Sequence, residues 1–125
     1  MIYAQIAGAL LGMLAVILGA FGAHALKGKF TAEQLTSYET GVKYQMYHAI
    51  VLLLIGFNNK AVPVYETTVW FFILGTVLFS FSIYLLCYTG YKGCKWKFLG
   101  PITPLGGVCL VIGWALLLYN ALSIL

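Results

Sequence analysis

The sequence predicts an all-α, polytopic integral membrane protein, a bundle of four transmembrane helices. Three observations carry that expectation. Only 8% of the 125 residues are charged and 62% are hydrophobic, with a mean hydropathy of +0.97; a soluble domain carries about 25% charged residues. The apolar residues fall into four long runs, each able to supply the roughly 20 residues that about 30 Å of hydrocarbon requires. The lysines mostly collect between those runs. The formal charge of +4 comes from seven lysines against three glutamates. A nucleic-acid reader would gather its basic residues on one folded face, so the expected partner is membrane lipid and not nucleic acid.

The whole chain, 1–125, reads as one membrane domain. Its first span covers about 2–26 and ends where Gly28 can stop a helix. The second covers about 32–57. It opens at Thr31-Ala32-Glu33-Gln34, which reads as a capping box, and stops before Asn58-Asn59. Pro63 punctuates a short loop, and the third span covers about 64–88 until the stretch GYKGCKWK breaks it. Thr103-Pro104 reads as an N-cap followed by proline in the first helical position, opening a fourth span over about 104–125. A cleaved signal peptide is the rival for the first span, because Ala23-His24-Ala25 resembles a cleavage site. No lysine precedes that run, and its apolar part exceeds the usual 7–15 residues, so a retained span is expected.

Lysine placement predicts the orientation. Lys27 and Lys29 lie between spans one and two, and Lys92, Lys95 and Lys97 between three and four; the intervening connection offers Lys60 alone. The positive-inside bias then puts both termini on the non-cytoplasmic side. Trp70, Tyr91, Trp96 and Tyr119 fall near the expected boundaries, where amphipathic rings favour the interface. Cys87, Cys94 and Cys109 are odd in number and widely spaced, which argues against a zinc site or a disulfide framework. No metal is expected.

Two kinds of helix face stand out. Gly8, Gly12, Ala15, Gly19 and Gly22 recur at steps of four, three, four and three, a small-residue stripe that lets backbones approach closely. Gly106, Leu110, Gly113, Leu117 and Asn120 echo it in the fourth span. Such stripes pack helices within one chain or form the seam of a homo-oligomer or larger membrane complex. The second face is polar. Gln34, Tyr38, Gly41, Gln45, His48 and Leu52 share one stripe of the second span, with Glu39 and Lys43 beside it at ion-pair spacing. Thr76, Ser80 and Tyr84 form a matching row on the third span, with Ser80 expected at nearly the depth of His48. Polar groups inside a membrane are costly and mark candidate sites, so the seam serves either as a satisfied hydrogen-bond network or as a binding or proton-handling site. His24 and His48 are nearly 20 Å apart in depth on a continuous second helix, too far to share a haem. No cofactor is expected.

Four stretches in order, GAFGAHALK at 19–27, YQMYHAI at 44–50, FSFSIYLL at 79–86 and GPITPLGG at 100–107, followed by Gly113-Trp114, resemble the YgdD/YwdK-like family of small bacterial membrane proteins. That family is a domain of unknown function with a small eukaryotic transmembrane relative. The resemblance implies a four-span protein of the bacterial cytoplasmic (inner) membrane. It draws attention to Gly19, Gly22, His24, Gln45, His48, Ser80, Tyr84, Pro101, Thr103, Pro104 and Gly106. Phe81 stands where the family carries Ser-Gly-Ser, which adds bulk to the third span.

With so little chain outside the spans, the expected role is a small non-enzymatic accessory or scaffolding component of a membrane assembly. The alternative is a transport or ligand-binding protein with a polar pocket on the cytoplasmic side, for a quinone headgroup, a lipid or a proton-coupled solute. Its candidate residues are His24, Tyr38, Glu39, Gln45, His48, Ser80, Tyr84 and Thr103. The segment 100–107 either stiffens the turn into the fourth span or folds back beside His24 as a cap. No nucleophile–base pair argues for an enzyme.

Overall fold

A computed structural model describes residues 1–58 and 63–125; Lys60, and the turn expected around Asn59, fall outside them. The chain forms four antiparallel rods. The first is α1 (Ile2–His24) and the second α2 (Ala32–Phe57). The third consists of α3 (Pro63–Thr76), a π-helical turn (Val77–Phe81) and α4 (Ser82–Tyr91) in series. The fourth is α5 (Ile102–Leu122), entered through a 3₁₀ turn at Lys97–Leu99.

Among the described residues three rods, Ile2–His24, Tyr65–Tyr91 and Lys97–Leu122, are long and apolar enough to cross a bilayer. α2 is longer than α1 but carries Glu33, Glu39 and Lys43 in its first half. It nevertheless lies along the whole of α1. Gly22 abuts the Tyr38 ring at one end, and the Gln5 amide donates to the Gly56 carbonyl at 2.9 Å at the other. Two helices that share their full length share their depth, which is the physical ground for counting α2 with the three, so that three to four rods span.

The helix ends follow local chemistry. At the start of α2 the Thr31 hydroxyl accepts from the Gln34 N–H at 3.1 Å, while the Gln34 side chain accepts from the Thr31 N–H at 2.9 Å. This reciprocal cap satisfies two donors that the first helical turn leaves open. α1 ends at His24, two residues before the expected Leu26. Leu26 is buried with Phe30, and its carbonyl accepts from the N–H groups of Lys29 and Phe30, both at 3.0 Å, across a turn in which Gly28 adopts φ +88°. α5 begins two residues earlier than expected, with Pro101 at the N-cap and Pro104 in the third helical position. Proline is tolerated there because first-turn N–H groups have no intrahelical acceptor. Thr103 does not cap; its hydroxyl pairs with that of Ser82 at 2.6 Å. The segment 100–107 thus comprises the entry to α5 and its first turns.

Packing is organised as two hairpins, α1 with α2 and the third rod with α5, joined across α2. Small residues set both hairpin seams. A Cβ on Gly8 would lie 2.8 Å from the Ala49 carbonyl oxygen, and one on Gly19 would lie 3.3 Å from Val42. In the other hairpin a Cβ on Gly106 would collide with the backbone of Phe79, and one on Gly113 would lie 2.6 Å from the Phe72 ring. Ala15 is buried, whereas Gly12 is looser, its Cβ position being 3.7 Å from Ala49. These stripes meet partners within one chain, most closely at Gly8, Gly22, Gly106 and Gly113. Ala4, Leu11, Ala49, Leu52, Val69, Phe72 and Leu110 form the main core. On the outside, Ile2, Ile6, Leu10, Met13 and Ile17 recur on the far face of α1 and are exposed, as suits acyl chains.

Candidate functional site

α2 supplies the polar centre of the bundle. Tyr38, Gly41, Gln45, His48 and Leu52 recur at alternating steps of three and four and are all buried. With 3.6 residues per turn they form one stripe, wedged between α1 and the third rod. Gln45 has no exposed surface. Its Nε2 donates to the Leu11 carbonyl at 2.8 Å, and its Oε1 accepts from the Tyr84 hydroxyl at 2.7 Å. A single amide thereby ties α1, α2 and α4 together.

One turn closer to the lysine-bearing end, the Ser80 hydroxyl donates to the Gly41 carbonyl at 2.7 Å, and the Tyr38 hydroxyl donates to the Leu18 carbonyl. The rings of Tyr38 and Tyr84 lie 5.2 Å apart. Glycine makes room for both, since a Cβ on Gly41 would lie 2.8 Å from the Tyr84 ring and one on Gly22 would enter the Tyr38 ring.

His48 forms a separate layer. Its Nδ1 lies 2.7 Å from the Tyr44 carbonyl oxygen. A carbonyl only accepts, so Nδ1 carries the proton. Nε2 is then free to accept from the Trp114 indole N–H at 3.1 Å, and the neutral Nδ1–H tautomer satisfies both contacts. Phe72 flanks the imidazole at 5.3 Å between centroids, and Trp114 meets it edge-on at 6.1 Å. This layer ties α2 to α5.

The remaining candidates lie apart from these layers. His24 and Glu39 are exposed, and neither Glu39 nor Lys43 forms an ion pair among the described residues. Thr103 sits at the start of α5 against Ser82. Ser80 is not level with His48; it meets Gly41, two turns away, and Phe72 takes the place opposite the imidazole. The expectation sets Tyr91 level with Tyr38, whereas Gly90 meets Gln34, about one turn further toward the start of α2; the extra residue of the π-helical turn adds a smaller displacement and re-aims the side chains on either side. His24, Gln45, His48 and Tyr84 do not line a common cavity.

The two larger open spaces among the described residues lie elsewhere. A cleft of about 490 Å³ at the lysine-bearing end is walled by residues that include Gln34, Ser37, Lys95 and Thr103. A groove of about 510 Å³ runs between α2 and α5, past Tyr44, Val108, His48 and Trp114. Sequence reasoning gave Trp114 no role in the seam. Its signal was its position: an indole near the middle of a membrane helix, far from the interface that tryptophan favours, needs an internal acceptor.

A family model described as "Protein of unknown function (DUF423)" matches residues 18–107. The chain belongs to this family. The matched segment contains every polar candidate from His24 to Thr103 and stops short of Trp114. The chain is similar to the UPF0382 membrane protein YwdK of Bacillus subtilis, 42% identical over 123 residues that make up 96% of each chain. A UPF0382 membrane protein of Staphylococcus saprophyticus is 40% identical over 120 residues, 95% of this chain and 96% of that one. One from Staphylococcus aureus is 42% identical over 114 residues, 90% and 89% of the two chains. No solved structure matches the chain. Fold and relatives together make this DUF423 protein a small bacterial multi-pass membrane protein.

Proposed function

We propose that the protein is a non-enzymatic accessory or scaffolding component of a membrane assembly, seated in the bacterial cytoplasmic membrane with both termini on the non-cytoplasmic side. One observation carries this reading. The seam side chains Tyr38, Gln45, His48, Ser80 and Tyr84 are each engaged inside the chain; in the same row the buried Thr76 hydroxyl has no partner among the described residues. A proton relay needs partners that can take up and release protons, whereas His48 faces a backbone carbonyl at Nδ1 and a donor-only indole N–H at Nε2. A solute path needs wet polar walls, whereas Gln45 and Ser80 have no exposed surface. Interhelical hydrogen bonds in membranes contribute about 0.6 kcal/mol each on average and up to about 1.7, a scale suited to fixing the register of a bundle. The orientation rests on Lys27, Lys29, Lys92, Lys95 and Lys97, which flank the same end of the rods.

The partner-facing surface in this reading is the outside of the α1–α2 hairpin near that end. Glu39 and Lys43 stand exposed there beside a recess of about 140 Å³ floored by Gly19 and Gly22. Charged groups on the outside of a membrane bundle are costly against acyl chains and favourable against headgroups or a partner's polar groups. Native gels of the protein at its natural level in mild detergent test the proposal. An assembly larger than one chain in its micelle is expected. It should survive His48→Gln, which keeps hydrogen bonding but not titration, and disappear on joint replacement of Glu39 and Lys43 by alanine with helicity unchanged. A chain that migrates alone, or an assembly that fails with His48→Gln, overturns it.

A further inference from the structure

The cleft and the groove share one residue, Pro104. They follow one another along the same three rods and meet at Pro104, together outlining a crevice. Gly100 just before α5 and Pro104 on it line the cleft, and Pro104, Gly107, Val108, Val111 and Trp114 of α5 line the groove on one helical face. On α2, Gln34 and Ser37 line the cleft and Tyr44 and His48 the groove, again on one face at steps of three or four across Gly41. The third rod forms the floor, Ile83 and Leu86 under the cleft and Phe79 under the groove. α2 and α5 stand apart along this crevice and meet at its closed end, where Trp114 reaches His48.

Its chemistry changes sharply along its length. The mouth carries Glu33, Lys95 and the hydroxyls of Thr31 and Ser37. It also lies at the start of α5, which has no side-chain cap, so the partial positive charge of that helix end adds to Lys95 there. Beyond Pro104 the walls are almost wholly apolar. From Pro104 to Trp114 the helix rises about 15 Å, half of a hydrocarbon core roughly 30 Å thick. A polar mouth with a lysine, followed by an apolar trough one leaflet deep and open on its side, has the shape and polarity of a phospholipid.

We propose that this crevice binds one glycerophospholipid of the lysine-side leaflet, its phosphate at Lys95 and the start of α5, and one acyl chain along α5 as far as the His48–Trp114 pair. A second copy of the chain would bring a helix to the groove but nothing to occupy the polar mouth. The proposal is independent of the assembly described above. It is tested by native mass spectrometry of the protein reconstituted with palmitoyl-oleoyl phosphatidylglycerol and released in mild detergent. One retained lipid per chain is expected. Gly107→Leu fills the trough without touching the backbone of the floor, because a Cβ at Gly107 meets only the Phe79 ring at 3.8 Å. It should remove the lipid while circular dichroism is unchanged. Lys95→Gln lies on an exposed loop and should lower retention about fivefold, the effect of one lysine at an anionic surface. Val16→Trp on the outer face of α1 should change nothing. Absence of retained lipid in the parent protein, retention unaltered by Gly107→Leu, or a dimer mass that Gly107→Leu breaks would each overturn the proposal.

Discussion

Replacing Gln45 and Tyr84, singly and together, measures how far the seam holds the bundle. Tyr84→Phe removes one donor and leaves the Gln45 Oε1 without its 2.7 Å partner. At the scale of hydrogen bonds in membranes this costs about 1 kcal/mol. Gln45→Leu removes two bonds, taking from the Tyr84 hydroxyl its 2.7 Å acceptor and leaving the Leu11 carbonyl with its intrahelical partner alone. Stranding a buried polar group costs about 1–3 kcal/mol, so this variant should lose roughly twice as much as Tyr84→Phe. In the double variant the hydroxyl and its acceptor disappear together, and apolar groups of similar shape replace them. The double variant should therefore cost less than the sum of the singles by about 0.6–1.7 kcal/mol. Unfolding by sodium dodecyl sulfate in mixed micelles, followed by tryptophan fluorescence, gives all three values. Additive effects, or a Gln45→Leu variant as stable as the parent, would refute the assignment of Gln45 as the joint between α1, α2 and α4.

Two further outcomes follow from close contacts and exposure. Gly106→Ala puts a methyl group into the backbone of Phe79 and should cost about 1–3 kcal/mol through separation of α5 from the third rod, whereas Gly12→Ala, with 3.7 Å of room, should stay within about 0.5 kcal/mol of the parent; the same micelle titration compares them. Cys94 is exposed in the lysine-rich connection while Cys87 and Cys109 are buried, so a membrane-impermeant maleimide should label inverted vesicles at Cys94 and leave intact spheroplasts unlabelled, and labelling of spheroplasts would reverse the proposed orientation.

Much of the architecture could be read from composition because a bilayer restricts the choices. Chains this poor in charge with four apolar runs can satisfy their backbone in lipid only as helices or closed barrels, and the run lengths select helices. The capping box at Thr31–Gln34 is equally local, since its two bonds close within three residues. Burial of the Tyr38–Gln45–His48 face follows from its period. What that face meets does not. The Trp114 indole lies 66 residues from His48 along the chain, and the Leu11 carbonyl that receives Gln45 is a backbone group with no sequence signal at all. The π-helical turn at Val77–Phe81 was equally hidden, because it depends on how the third rod packs against α2 and α5. Ser80 lies away from His48 chiefly because Gly90, beside Tyr91, packs at Gln34 and not at Tyr38, a register that no local pattern reveals. His24 illustrates the opposite case: a conspicuous residue beside the glycine stripe, left outside the seam because α1 ends there and the chain turns inward at Leu26 instead.

The central claim is that the intramembrane polar groups hold helices together and do no chemistry of their own, and His48 offers its most direct test. Nitrogen-15 NMR of the protein in bilayers, with His24→Gln leaving one histidine, reports which ring nitrogen carries the proton. The geometry calls for a single neutral species protonated at Nδ1, its Nε2 coupled to the Trp114 indole proton. An imidazolium signal, an Nε2–H tautomer, or loss of the Trp114 coupling would show a histidine free to exchange protons and would contradict the account.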